Sequence, residues 1–324
     1  MVTNCMDNII SKDKRFFWMG CAITYIYLYH LIYFTTELYS NSYLWKYLNL
    51  LLANGFIGVD LFLFVSAYGL CHSFKRNKIT TFYSNRIIRI IPIYVIFLIL
   101  LFFCFLTNYS WQYIIFDSAM QISGISIFKL FNINIEWFIP ALIFLYITFP
   151  IPFYLVKKTT NVTHDILIII CLTCLSIIGA NFIHDNLSYR LPIWIMGILT
   201  YKYQSSSKKL FLLYFSFSLI SLLKINNTIH YSTLLPLFLL GFNHLLKIDS
   251  TKKFIKYFSK LGLYSLEIYL AQVLTTKYFL PTIKSPFAIV NCILLTITIS
   301  ILFIFINIFL KKGLSKFKRQ AQCN

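Results

Sequence analysis

Acidic residues are scarce in this chain: ten of 324 positions are Asp or Glu, against 29 Lys and Arg. Charged residues of either sign make up 12% of the sequence, about half the share of an ordinary soluble domain. With 59% hydrophobic residues and a mean hydropathy of +0.74, too little polar surface exists to cover a water-soluble particle of this size. Glycine (10) and proline (8) are few and scattered. No Gly/Ser- or Pro-rich linker therefore divides the chain, no internal repeat is visible, and residues 1–324 read as one integral-membrane domain. Paired Gly/Pro-interrupted helices in two halves, the mark of an inverted-repeat transporter, are also missing.

Two further absences narrow the function. The eight cysteines are dispersed through apolar runs. Cys171 and Cys174 stand three apart on a predicted helix, but no second ligand pair accompanies them, so they read as small buried hydrophobes and no metal is expected. The net charge of +19 has no stripe of basic and stacking aromatic residues to go with it. Its lysines and arginines fall in short clusters between apolar runs, which is how helices are oriented in a bilayer, and nucleic acid is not an expected partner.

What the chain has is apolar runs long enough to cross a hydrocarbon core about 30 Å thick. Ten such runs are predicted as helices, at 16–34, 51–72, 88–107, 137–156, 164–183, 188–202, 209–223, 230–246, 262–279 and 287–310. The expected fold class is therefore all-α, a polytopic bundle of about ten transmembrane helices. The stretch 108–134 reads as the one long loop, with Trp111 and Tyr113 suited to the membrane interface. The first run is too long for a cleavable signal and lacks a small-residue cleavage site. With the N-terminus inside, 23 of the 29 Lys and Arg fall on the cytoplasmic side, which places both termini in the cytoplasm.

Ionisable groups inside such helices are costly and mark function by default. His30 lies towards the outer end of the first helix, in Tyr25-Ile-Tyr-Leu-Tyr-His30. It is either an imidazole satisfied by an interfacial partner or a general base. Of the ten acids, Asp60 and Glu267 are the two read as buried within apolar helices, and each needs a cation or several donors. Glu136 and Trp137 mark the outer start of the fourth helix. Arg86 and Arg89, at the cytoplasmic start of the third helix, are three residues apart and share a face. Two guanidinium forks together suit phosphate, although a topology anchor would look the same. Pro92 is placed in the first turn of that helix, where it is tolerated.

At these residues the chain resembles the acyltransferase 3 family of bacterial membrane O-acyltransferases. The blocks that carry the likeness run in order over nearly the whole chain. They are the apolar run closing on His30; Gly58-Val-Asp60-Leu-Phe-Leu-Phe-Val-Ser66-Ala67; Phe82-Tyr83 through Arg86, Arg89, Pro92 and Tyr94; Glu136-Trp137-Phe138; Arg190-Leu-Pro-Ile-Trp-Ile-Met-Gly197; and Gly262 to Gln272. The resemblance implies acyl transfer from acyl-coenzyme A, most simply acetyl-coenzyme A, to a sugar hydroxyl of a surface polysaccharide or lipid-linked glycan. The setting would be the bacterial cytoplasmic (inner) membrane, with the lipid bilayer as solvent. It also implies roles: His30 as base or transient acyl carrier, Asp60 or Glu267 orienting it, and Arg86 and Arg89 on the coenzyme's phosphates. Glu136, Trp137 and Arg190 would hold the acceptor.

Three positions depart from the family's pattern. Met19 stands where a basic residue is common, with Arg15 four residues earlier on the same helical face. Ala67 replaces a glycine, and Gln272 replaces a histidine, which puts the weight on His30. The competing class is a glycan flippase or O-antigen polymerase. A polymerase favours a large basic periplasmic loop, and residues 108–134 hold one basic residue, Lys129.

Overall fold

A run of apolar residues can satisfy its backbone in hydrocarbon only by closing hydrogen bonds within itself, so each becomes a helix. In the computed structural model, which describes residues 12–35, 42–105, 110–129, 136–223, 226–245, 252–280 and 287–323, every one of the ten predicted runs is helical. The helices are α1 (Lys12–Thr35), α2 (Tyr43–Leu52), α3 (Ile57–Arg76), α4 (Ile79–Phe105), α5 (Trp111–Ser123), α6 (Phe138–Thr148), α7 (Pro150–Lys158), α8 (Val162–Gly179), α9 (Asp185–Ser188), α10 (Leu191–Lys202), α11 (Ser207–Leu219), α12 (Asn227–Leu245), α13 (Lys252–Leu263), α14 (Ser265–Val273) and α15 (Ala288–Cys323). No strand occurs among the described residues; one isolated antiparallel bridge joins Phe128 to Ile183.

Among the described residues, five stretches are long and apolar enough to cross a membrane, at 14–35, 45–76, 79–103, 162–179 and 288–313. The bent pair α6–α7 makes a sixth if counted as one span. The 50° bend falls where Pro150 opens α7, because a proline lacks the N–H that would continue the ladder and clashes with the turn before it. Helices α10 and α11, with 12 and 13 residues, rise only about 18–20 Å and are too short to cross alone. Pro92 lies inside α4, not in its first turn, since the helix begins at Ile79.

Besides the four-residue α9, three helices stand where the sequence reads as loop. Helix α5 occupies part of 108–134; Ser110 caps it through the Tyr113 N–H, and Gly124, at φ 74°, ends it in the left-handed region. The remaining ends of that segment, 108–109 and 130–134, lie outside the described residues, as do positions 106–107 at the end of the third run and 246 at the end of the eighth. Helix α2 is capped by Ser42. Helix α13, Lys-Lys-Phe-Ile-Lys-Tyr-Phe-Ser-Lys-Leu-Gly-Leu, leaves Lys253, Lys256 and Lys260 exposed and puts Ile255 and Phe258 on the packed face.

Helix α3 is the axis of the bundle. Every residue from Gly58 to Cys71 is buried, as expected of a helix that is apolar all round. It packs against α1 on one side and α10 on the other, and α1 in turn lies on α13. The outer faces of α8 and α15 expose Leu167, Leu175, Leu294, Ile301, Phe305 and Phe309, an apolar exterior that needs lipid as its partner.

The α1–α13 crossing is made by two glycines. A Cβ on Gly20 would fall 1.9 Å from the Phe258 carbonyl oxygen, and one on Gly262 1.8 Å from that of Phe16. Backbone thus meets backbone, the arrangement small residues permit between membrane helices. A Gly20→Val or Gly262→Val protein is expected to lose about 3 kcal/mol or more, since neither carbonyl can retreat without moving its helix. Thermal unfolding in detergent checks this; a midpoint equal to the parent's would show the crossing to be unimportant.

Candidate active site

The arginines define one end of the molecule. Arg15 from the first turn of α1 joins Arg86 and Arg89 from α4 around a cavity of about 330 Å³, with Ser66, Asn85 and Tyr146 also in its wall. Gly69 makes room for the third arginine: a Cβ there would sit 2.5 Å from Arg15 Nη1. Met19 lines the same cavity one turn up, so Arg15 does reach the face that the missing basic residue would occupy. Arg15 feels the like charges of both Arg86 and Arg89, and among the described residues no carboxylate lines the cavity. Among the described residues none of the three arginines takes part in an ion pair. The Arg15 Nε and Ser66 Oγ atoms are buried without hydrogen-bond partners. Three mutually repelling cations and idle donors form a site for a polyanion.

His30 lies fifteen residues further along α1, about 22 Å up the helix axis. Tyr29 and Phe34 flank its ring at 5.4 and 6.2 Å between centroids. Its Nδ1 is buried and unpartnered. The polar side chain facing the imidazole is Gln272 of α14, within hydrogen-bonding reach, and Lys277 is the nearby charge.

Asp60 and Arg190 are brought together, 130 positions apart in sequence. They form an ion pair at 3.0 Å with side chains 0% and 2% exposed. The angle falls short of a hydrogen bond, and both Asp60 oxygens lack a donor. Arg190 also donates to the Asn186 carbonyl at 2.8 Å and lies 5.5 Å over the Trp137 ring. Trp137 in turn stacks on His184 at 5.5 Å. Arg190 also acts on the Tyr29 hydroxyl, so this pair borders the His30 neighbourhood.

Two acids have local tasks. Glu136 accepts the Phe138 N–H at 3.0 Å at the start of α6 and the Tyr269 hydroxyl at 2.5 Å, so it ties α6 to α14. Glu267 accepts from the Asn307 amide, across the α14–α15 seam. Among the described residues, no hydrogen bond or ion pair joins His30 to Asp60 or to Glu267. Sequence reasoning missed a further buried chain, in which Tyr94 donates to Gln121 at 2.7 Å and Gln121 to Asp117 at 2.5 Å. Reading 108–134 as loop hid it; the Ser110 and Gly124 helix signals were the clue available. It also missed the clamp in which Asp165 accepts Lys202 and Tyr203, each at 2.6 Å.

The family model for an acyltransferase domain, Acyl_transf_3, matches residues 19–306. The chain belongs to the acyltransferase 3 family. This membership makes the protein an acyltransferase, an enzyme that transfers groups other than aminoacyl groups, and excludes the flippase and polymerase class. With its apolar helices it is a multi-pass membrane acyltransferase. No curated protein and no solved structure matches the chain. The matched stretch contains His30, Asp60, Arg86, Arg89, Glu136, Trp137, Arg190 and Glu267, but starts after Arg15. The third arginine of this acyltransferase is thus a feature that geometry alone assigns to the cavity.

Proposed function

We propose that this acyltransferase is an O-acyltransferase of the bacterial cytoplasmic membrane. It moves an acyl group, acetyl in the simplest case, from cytoplasmic acyl-coenzyme A to a sugar hydroxyl of a surface polysaccharide or lipid-linked glycan. The observation that carries this reading is the cavity of Arg15, Arg86 and Arg89, which has no acid of its own. Coenzyme A presents several phosphate groups on a flexible arm that ends in the thioester. Guanidinium groups are the side chains best matched to phosphate oxygens. With both termini cytoplasmic, the arginine end faces the donor pool and the His30 end faces the exported acceptor.

In this scheme the phosphates rest on the arginines while the arm extends along α1 towards His30. The imidazole takes the proton of the acceptor hydroxyl. The oxygen attacks the thioester carbonyl, the C–S bond breaks, and the proton passes from the imidazolium to the departing thiolate. The ester stays on the sugar and free coenzyme A leaves. Asp60 and Arg190, a neutral pair next to Tyr29, border the acceptor side, with Trp137 offering a flat face to a sugar ring.

The test uses membranes of the producing cell and radiolabelled acetyl-coenzyme A. Label is expected in the glycan without any lengthening of it. An Arg86→Gln protein is expected to need about tenfold more acetyl-coenzyme A for half-saturation, the equivalent of one lost charge-assisted contact of about 1.4 kcal/mol. An unchanged half-saturation would make that arginine a topology anchor and remove the main support for the donor.

A further inference from the structure

Gln272 is fully buried, and neither its carboxamide oxygen nor its nitrogen has a hydrogen-bond partner. An unpaired buried amide costs about 1–3 kcal/mol, so its position asks for a partner that appears during work. The side chain within its reach is the His30 imidazole, whose buried Nδ1 is also unpaired. The Gln272 side chain thus meets the His30 ring across the α1–α14 contact, and each side chain holds buried polar atoms whose bonding capacity is unspent.

The spacing between these two side chains is held by a hydroxyl chain one turn away. Tyr27, three residues before His30, donates to Thr296 of α15 at 3.2 Å, and Thr296 shares a 2.6 Å contact with Thr275, three residues after Gln272. Residues three apart lie on one helical face, so this chain runs beside the His30–Gln272 contact and locks α1, α14 and α15 together. The Gln272 backbone is fixed as well. Its carbonyl takes the hydroxyls of Thr275 at 3.2 Å and Thr276 at 2.7 Å, just where the helix widens into a π-turn over Leu274–Phe279. Such turns recur at functional sites because they re-aim the side chains around them.

Among the described residues, no carboxylate near His30 is free to serve in its place. Asp60 of α3 is held by Arg190, Glu136 by Tyr269, and Glu267 by Asn307. The other titratable groups around His30 are Lys277 on the π-turn, Tyr29 and Tyr33 on α1 itself, and Tyr27 and Cys292 at the hydroxyl chain. Helix α2 contributes Lys46, which is exposed and lies over the Tyr43 ring.

We propose that Gln272 is a positioning residue of this acyltransferase: its carboxamide oxygen accepts an N–H of the His30 imidazole and so fixes which ring nitrogen meets the acceptor hydroxyl. This rests on the reading of His30 as the base. A carboxamide selects the tautomer as a carboxylate does, but being neutral it leaves the imidazolium without an anionic partner.

The experiment follows label transfer from acetyl-coenzyme A to glycan in native membranes, across pH, with His30→Ala alongside. In Gln272→Leu, which keeps the volume and removes both polar atoms, the maximal rate is expected to fall at least about tenfold. The half-saturating acetyl-coenzyme A should stay within about twofold, because the arginine cavity is untouched. Gln272→Glu keeps an accepting oxygen and adds charge. It is expected to recover most of the rate and to move the acidic limb of the pH profile upward by about one unit or more. If His30→Ala is inactive while Gln272→Leu keeps the parent's maximal rate, or if Gln272→Glu leaves the acidic limb in place, the positioning role is wrong and the base assignment survives. If His30→Ala transfers label at the parent's rate, the base assignment fails and this proposal fails with it.

Discussion

A His30→Ala protein is expected to accumulate in the membrane as the parent does and to lose acyl transfer by about 10²–10⁴-fold, the usual contribution of a positioned general base. The two halves of that expectation have separate grounds. Stability should hold because the ring is only partly buried, its Nδ1 bonds to nothing, and its neighbours Tyr29 and Phe34 belong to the same helix. The Tyr27–Thr296–Thr275 chain that fixes α1 against α15 does not include it. Activity should fail because, among the described residues, His30 is the imidazole that Gln272 reaches, while His72 packs on Tyr68 and Tyr201, and His184 stacks on Trp137. Glycan labelling and membrane abundance, measured on the same preparation, decide the matter. Native-rate transfer at native abundance would rule His30 out as base or acyl carrier.

The second large effect is structural. Replacing Arg190 with methionine leaves the Asp60 carboxylate buried without its cation, which is expected to cost about 3–5 kcal/mol. Asp60→Leu should cost comparably, since the guanidinium is then the orphan. The double variant is expected to regain much of the loss, because removing both partners of a buried pair with apolar residues of similar volume is often near neutral. The non-additivity is the signature, and unfolding midpoints of the four proteins in detergent measure it. If Arg190→Met unfolds with the parent's midpoint, the pair contributes nothing to stability. The double variant also separates fold from function: a stable but inactive protein would place the pair on the acceptor side of the chemistry.

The parts of the fold visible in the sequence were those governed by local physics. Long apolar runs announce helices because lipid allows nothing else, and all ten runs are helical among the described residues, several of them as two helices rather than one. How many cross the bilayer depends on length and tilt, which hydropathy alone does not give. The amphipathic helix α13 escaped because its lysines break every apolar window; only the period of Ile255 and Phe258 against Lys252, Lys256 and Lys260 betrays it. The site divides in the same way. Arg86 and Arg89 share a face by spacing, and the four-residue offset from Met19 marks Arg15 as the stand-in for a missing basic residue, but its meeting with the other two arginines is not encoded there. The pairing of Asp60 with Arg190 and the approach of Gln272 to His30 join residues on different helices, and no periodicity within either segment encodes such a meeting.

Helix α1 carries both Arg15 and His30, and its contact with α13 at Gly20 falls between them. Backbone touches backbone there, so the crossing acts as a fulcrum. The lever arms are about 7 Å to Arg15 and about 15 Å to His30. Any rocking of α1 about that point swings the two ends in opposite senses and displaces the imidazole twice as far as the guanidinium.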